Sequence, residues 1–428
     1  MGPAKPSEDH GSLRAPLDAP GAARATRLAL FLNLPIREVD GELTARYAHL
    51  FDFFSALAER THETTFCLPL AHDAERREAY GTVDLPENVR LAGLPHWTSA
   101  PMLAQRVHRI VPSVLWVGAR QGGSWDALGA VVPSVAGNLL VFQARLRRTP
   151  VFLFVRGEKQ RTVSMIFGAS RRTRLMVRAL AALERPVRRW IAAGVPTFVA
   201  GEELVERYAA PGARLYNLYP GLSRDFPILR EPRTSRAAPG APLRLITVAR
   251  LSPVKGLEDL LYAVAQAVPA GTDLVVELVG DGPDRERLAA LAGELGIADR
   301  VRFAGFVGTR AELVERLDGA DVFVLPSRSE GLPHSVVEAM ARGLPVIASA
   351  IGGLPGLLGE GSGIIVPPRD PGRLAAVLGE LAADRARLDD LSARSVARVA
   401  RFEPDAQARQ LCERLVEAYP QLAGLLAE

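Results

Sequence analysis

Asp321-Val322-Phe323-Val324-Leu325-Pro326 is followed by Ser329-Glu330-Gly331-Leu332-Pro333-His334-Ser335-Val336-Val337-Glu338-Ala339-Met340-Ala341 and then by Leu344-Pro345-Val346-Ile347-Ala348-Ser349. Two short apolar runs bracket a turn-rich stretch and an amphipathic one, so the order predicted is strand, loop, helix, strand. In open α/β sheets ligands bind outside the carboxyl ends of the strands. Glu330 therefore falls on the loop where chemistry is expected, and Glu338, after seven intervening residues, falls in the first turns of the helix. Acidic residues near a helix start also have an ordinary explanation in the helix dipole, and Ser335-Val336-Val337-Glu338 fits a capping box.

The alternation continues to either side. Upstream, Leu243–Ala249, Leu274–Val279 and Val301–Ala304 read as strands, with Leu257–Val268 and Arg285–Leu295 as helices between them. Before these, Leu229–Pro242 gathers Pro232, Pro239, Gly240 and Pro242 among arginines, the composition of an exposed linker. The first half opens with the apolar run Leu28–Leu34 and a long amphipathic segment from Leu43 to Arg60. Strand candidates at Val114–Val117, Val151–Val155 and Pro196–Ala200 and a helix near Ala136–Arg147 follow. Repeated βα units imply parallel sheets, so the expectation is an α/β chain of two Rossmann-like domains facing across a cleft. Its parts are a tail over 1–26, a first domain over 27–228, a linker over 229–242, a second domain over 243–405, and a last helix over 406–428 that crosses back to the first.

With 428 residues, 48% of them hydrophobic, the chain is long enough for two buried cores. Lysine occurs only at Lys5, Lys159 and Lys255 among 52 basic residues, so each lysine is informative. Cys67 and Cys412 lie far apart without metal-ligand spacing, and no run approaches the roughly 18 apolar residues of a membrane span. A reducing, cytoplasmic setting is the expectation. No sequence feature calls for nucleic acid, and no Asp-Xaa-Asp triplet occurs, so no metal or other cofactor is expected.

After the strand ending at Ala249, Arg250 and Lys255 stand five residues apart, the second at a helix start. Two cations and the helix's own amides there suit a diphosphate. The other reading is two solvated surface charges. Val279-Gly280-Asp281-Gly282-Pro283 ends the next strand with residues suited to a tight bend.

The whole block from Leu243 to about Asp370 closely resembles the retaining, nucleotide-sugar-dependent GT-B glycosyltransferases of family 4, whose signature is Glu, seven residues, Glu. The resemblance implies that Arg250 and Lys255 bind the donor pyrophosphate and that Gly280 and Gly282 pass close to the donor. It implies that the backbone around Phe306 and Val307 reads the base, and that Glu338 accepts from the ribose hydroxyls while Glu330 contacts the transferred sugar. The amides of Gly331, Leu332, Pro333 and His334 lie, by the same resemblance, in the loop that holds sugar and phosphate oxygens, proline contributing no donor. The family often has a glutamate where Gly356 stands. Its mechanism is a metal-independent front-face substitution in which the leaving phosphate accepts the acceptor's proton. Partners implied are an NDP-sugar donor and a glycan or lipid-linked acceptor, in cell-surface polysaccharide or glycolipid synthesis.

The first half resembles the family less. Gly41 is all that remains of a glycine-rich loop, and Arg156 stands in a region where relatives place a histidine near the reacting sugar; it either meets an acceptor phosphate or pairs with Glu158. Seven arginines between Arg171 and Arg189, interleaved with apolar residues, describe either a solvated helix or a helix lying on an anionic membrane. Three alternatives stay open: transfer to a small soluble acceptor, an NDP-sugar epimerase on the same fold, and a binding or regulatory subunit with an inactive site. An epimerase converts the donor without acceptor, and the intact Arg250, Lys255, Glu330 and Glu338 argue against an inactive site.

Overall fold

The computed structural model describes residues 26–45, 48–72, 81–97, 100–155, 171–219, 221–233, 241–331 and 333–427. The expected tail, Arg156, Leu332 and the middle of the linker lie outside them. Among the described residues there are two sheets, of ten and six strands.

In the first sheet Leu215–Asn217, Thr197–Val199, Val151–Val155, Ala127–Val132, Arg27–Phe31 and Glu63–His72 run side by side and parallel. Val89–Pro95 pairs with Glu63–His72 in parallel too. The hairpin Ile36–Val39 and Glu42–Ala45 continues along Leu70–His72, past the carboxyl ends of the parallel strands. The fully buried strands are near-continuous apolar runs, as a parallel sheet covered on both faces requires. One face is covered by the helices Ala100–Gln121, Val135–Leu146 and Arg171–Ala192. The other face is covered by the helix His49–Ala58 and the carboxyl-terminal segment.

Three expectations change. Val114–Val117 is part of the helix Ala100–Gln121, because Ile110, Val114 and Val117 are buried at helical spacing while Leu115 and Trp116 face outward. The segment predicted as one amphipathic stretch from Leu43 begins as the second strand of the hairpin, its turn formed by Asp40 and Gly41, both with positive φ, and only then becomes helix. Tyr219, Leu222 and Phe226, assigned to the first domain, pack in a core of the second. These residues are apolar and sit beside Phe402 and the helix His334–Ala341, so the passage between domains begins near residue 219. Leu229 and Arg233 are likewise pinned to the second domain, donating to the Ala341 carbonyl and Ser392 Oγ.

The helix Pro404–Ala418 and the turn of 3₁₀ helix Pro420–Leu426 bury Leu411, Cys412, Leu415, Leu422 and Leu425 in the first domain's core beside Leu50, Phe53 and Phe54. Both cysteines are buried free thiols, and burial pushes each up to about 12.

Candidate functional site

The second sheet has the strand order Val301–Gly305, Leu274–Val279, Leu243–Val248, Val322–Leu325, Val346–Ser349, Ile364–Val366, all parallel. The chain starts in the middle, works outward one way and returns to the other side. Its topological switch point lies between Leu243–Val248 and Val322–Leu325, the crevice where an open α/β sheet binds ligands. Lys255 follows the first of these strands and Glu330 the second, and the fold brings them together: Lys255 Nζ donates to Glu330 Oε1 at 2.5 Å. Ser327 Oγ, fully buried, donates to the same oxygen at 2.6 Å. Both donors converge on Oε1.

The two loops are fastened to each other. The Arg328 amide donates to the Val254 carbonyl at 2.8 Å, and its guanidinium reaches back to Glu258 and Asp259. Burial works to raise the Glu258 carboxyl, but the guanidiniums of Arg328 and Arg287 together hold it below its ordinary range. Gly256 adopts φ +61°, and a Cβ there would lie 2.2 Å from the Pro326 carbonyl oxygen, so only glycine allows this approach. Arg250 stands exposed at the carboxyl end of its strand.

Around this centre, Gly280 donates its amide to the Gly305 carbonyl at 2.7 Å, and a Cβ on it would lie 2.0 Å from the Ala249 oxygen. Gly282 passes equally close to Leu251. Phe306, next to Gly305, is 73% exposed, while Val307 is half-buried against the core. The helix His334–Ala341 starts on Pro333 with no side-chain cap, so the Ser335–Glu338 capping box does not form. His334 Nδ1 donates to the Gly221 carbonyl at 3.0 Å. Glu338 as a residue is half-buried, but its carboxyl group is enclosed enough that burial pushes it up to about 7, with Arg310 pulling the other way. The Gly331 carbonyl accepts from the Gly353 amide at 3.2 Å, which ties the third loop of the site to the second.

The first domain meets these loops directly. Gly201 packs against Gly353, and Glu203 accepts from the Gly352 amide at 3.1 Å. The Glu202 carboxylate, accepting from Asn217 Nδ2 and the Tyr219 hydroxyl, fills the space beside Gly356: a Cβ there would lie 1.8 Å from its Oε1. Gly41 sits at the exposed tip of the hairpin beyond the carboxyl ends of the first sheet, and its φ of +81° is what that turn needs. The helix Arg171–Ala192 lies on the outer side of the first domain, and among the described residues no helix is long and apolar enough to cross a membrane.

Sequence reading missed Ser327, Arg310 and Glu202. Only Ser327 left a trace: a small polar residue at the end of a buried strand, three positions before Glu330.

Two parallel α/β domains meeting at a cleft, with the cationic and acidic loops at the switch point of the second, define a chain of the GT-B class. Solved structures agree over nearly the whole length. A sucrose-phosphate synthase from Thermosynechococcus elongatus matches with a TM-score of 0.65 at 22% identity, covering 93% of this chain and 99% of that one. HepE of Anabaena, solved with UDP, matches with a TM-score of 0.61 at 17% identity over 92% of this chain and 100% of its own. At these identities the likeness is one of fold. Residues 230–397 match the model of the family described as glycosyl transferases group 1. A D-inositol 3-phosphate glycosyltransferase of Thermobispora bispora is 35% identical over 235 residues, 52% of this chain and 55% of the relative. WcaL of Salmonella typhimurium, named for colanic acid biosynthesis, is 37% identical over 187 residues, 42% of this chain and 46% of the relative. The chain thus spans about half the length of the curated relatives it matches.

Proposed function

We propose that this protein is a retaining, metal-independent glycosyltransferase that moves a sugar from an NDP-sugar to a glycan or lipid-linked acceptor at the inner face of the cell membrane. The observation that carries the reading is the convergence of Lys255, Ser327 and Glu330 at the switch point of the second sheet, inside the matched residues. Breaking the bond from sugar to diphosphate builds negative charge on the leaving group, and fixed cations beside it stabilise that transition state. Arg250 and Lys255 take this role. Glu330, held by Ser327, receives a sugar hydroxyl, and Glu338 receives the ribose hydroxyls. The acceptor oxygen bonds to the anomeric carbon on the face from which the diphosphate departs, and its proton passes to the departing phosphate oxygen.

UDP is the favoured donor nucleotide, since HepE is described in complex with UDP and, in another structure, with UDP-glucose. The names of WcaL and of the lipopolysaccharide enzyme WaaG favour a cell-surface glycan. Metal independence is supported by the lack of an Asp-Xaa-Asp triplet.

The test is incubation of the purified chain with UDP-glucose, UDP-N-acetylglucosamine or GDP-mannose, with and without membrane extract, in EDTA and in Mg²⁺. Sugar transfer that needs extract and is equal in both buffers supports the proposal. Conversion of the donor alone to its epimer, or activity abolished by EDTA and restored by metal, overturns it.

A further inference from the structure

Among the described residues, five of the nine exposed large hydrophobic ones are Val107, Leu115, Trp116, Phe142 and Leu146. They lie on two adjacent helices, Ala100–Gln121 and Val135–Leu146, which Gln143 Nε2 joins by donating to the Leu115 carbonyl at 3.1 Å. Asn138 Nδ2 joins the second helix to Arg171–Ala192 in the same way, reaching the Leu183 carbonyl at 2.9 Å. All three helices bury their inner sides in one core, so their exposed residues form one outward face. That face is cationic throughout. Glu184 is the sole acidic residue in the three helices, and it is buried and paired with Arg188 and Arg207. Arginines stand on all three, with Arg109 and Arg120 on the first, Arg145 on the second and Arg174 and Arg178 on the third, every one exposed. Arg120 lies over the Trp116 ring, 5.4 Å from its centroid.

We infer that this three-helix face docks on an anionic lipid bilayer, with Trp116, Phe142 and Leu146 entering the interface and the arginines meeting headgroup phosphates; the inference deepens the proposed action on a lipid-linked acceptor and rests on it for its purpose. Aromatic and leucine side chains surrounded by arginine are the composition of an interfacial surface. A second copy of the chain is a poor occupant, because a two-fold interface would set the same arginines against themselves. Each helix follows a parallel strand, so its amino end lies at the carboxyl ends of the sheet, where the cleft opens. A bilayer on this face would deliver headgroups along the helices to the cleft rim.

The arrangement differs from a basic helix alone, because its apolar part is not screened by salt. The test is co-sedimentation with vesicles of phosphatidylglycerol and phosphatidylcholine, and with phosphatidylcholine alone, at low and high salt. Wild type should bind only the anionic vesicles, with part of the binding surviving high salt. The Trp116→Ser/Phe142→Ser double variant should lose about tenfold in partitioning and all of the salt-resistant part, and Arg174→Ser/Arg178→Ser should lose mainly the salt-sensitive part. Brominated phosphatidylglycerol should quench wild-type fluorescence and spare much more of it in Trp116→Phe. Equal partitioning of Trp116→Ser/Phe142→Ser and wild type, absence of binding to anionic vesicles, or a concentration-dependent dimer lost in the double variant would overturn the inference. UDP binding by calorimetry separates the two ideas: a chain that binds UDP but no vesicles keeps the transferase reading, and one that binds vesicles but no nucleotide keeps the surface alone.

Discussion

Glu338 offers a test in which pH and mutation act on the same atoms. Its carboxyl is pushed from 4.5 to about 7 mainly by burial. Ribose hydroxyls donate hydrogen bonds, and the ionised carboxylate accepts them best, so nucleotide binding should draw the group into its charged form. Below pH 7 each unit should then cost about tenfold in affinity, or roughly thirtyfold at pH 5.5 relative to pH 8. The diphosphate titrates as well, but identically for every variant, so the measurement is the difference between wild type and Glu338→Gln in calorimetric titrations with UDP. Wild type should show the steeper pH dependence, and the two should converge near pH 5.5. Stability without nucleotide should move the opposite way. Because the folded-state value lies above the unfolded one, the neutral group contributes stability that is fully present below about pH 4.5 and is lost as pH rises through about 7. At pH 8 the loss is bounded at about 3 kcal/mol, so Glu338→Gln should melt higher than wild type there and alike at pH 5. Parallel pH profiles for the two proteins, or a Glu338→Gln chain that is less stable at pH 8, would refute the argument.

Replacing Lys255 or Arg250 by Ala should lower kcat/KM by at least about 10²-fold with the fold intact, as for loss of one preorganised donor at a developing charge; near-normal turnover of Lys255→Ala in steady-state kinetics would remove it from the clamp. Ser327→Ala takes one of two hydrogen bonds from Glu330 Oε1, so kcat should fall about tenfold while UDP affinity and, within about 1 kcal/mol, stability hold. A change confined to melting temperature would make Ser327 a core residue only. Glu330→Gln frees Lys255 from its partner, so UDP should bind as well or more tightly while transfer is lost by about 10²-fold; weaker UDP binding would mean that Glu330 does not compete for that lysine.

The second domain was legible because its strands are buried on both faces and so stand out as apolar runs between turn residues, with observed ends within a residue or two of those expected. Lys255 was conspicuous for its rarity, and the Glu330–Glu338 spacing survives as a loop residue followed by a helix residue. What the sequence could not convey was pairing through space. Lys255 and Glu330 are separated by 75 positions, and their contact depends on which strands become neighbours. The helix Ala100–Gln121 was misjudged because Val114-Leu115-Trp116-Val117 is a run of β-favouring residues, and tertiary burial of one side of it decides for helix. Tyr219, Leu222 and Phe226 carry no marker of which core they enter. Glu202 comes from the opposite domain to occupy the space beside Gly356, a substitution of position that no local pattern records.

The Lys255–Glu330 pair holds two opposite charges together largely out of water. Their side chains are only 20% and 8% exposed, and a carboxylate held there alone would carry an uncompensated desolvation penalty. Lys255 offsets it, and so does Ser327. Under the proposed function, an arriving diphosphate would bring more negative charge than one carboxylate and compete for the same ammonium. As Lys255 turned to phosphate, Glu330 would keep its bond from Ser327 and need another donor, which a sugar hydroxyl supplies and bare nucleotide does not. The same displacement that builds the clamp would prepare the carboxylate for the sugar, and discrimination between NDP-sugar and NDP would then follow from electrostatics within these three side chains.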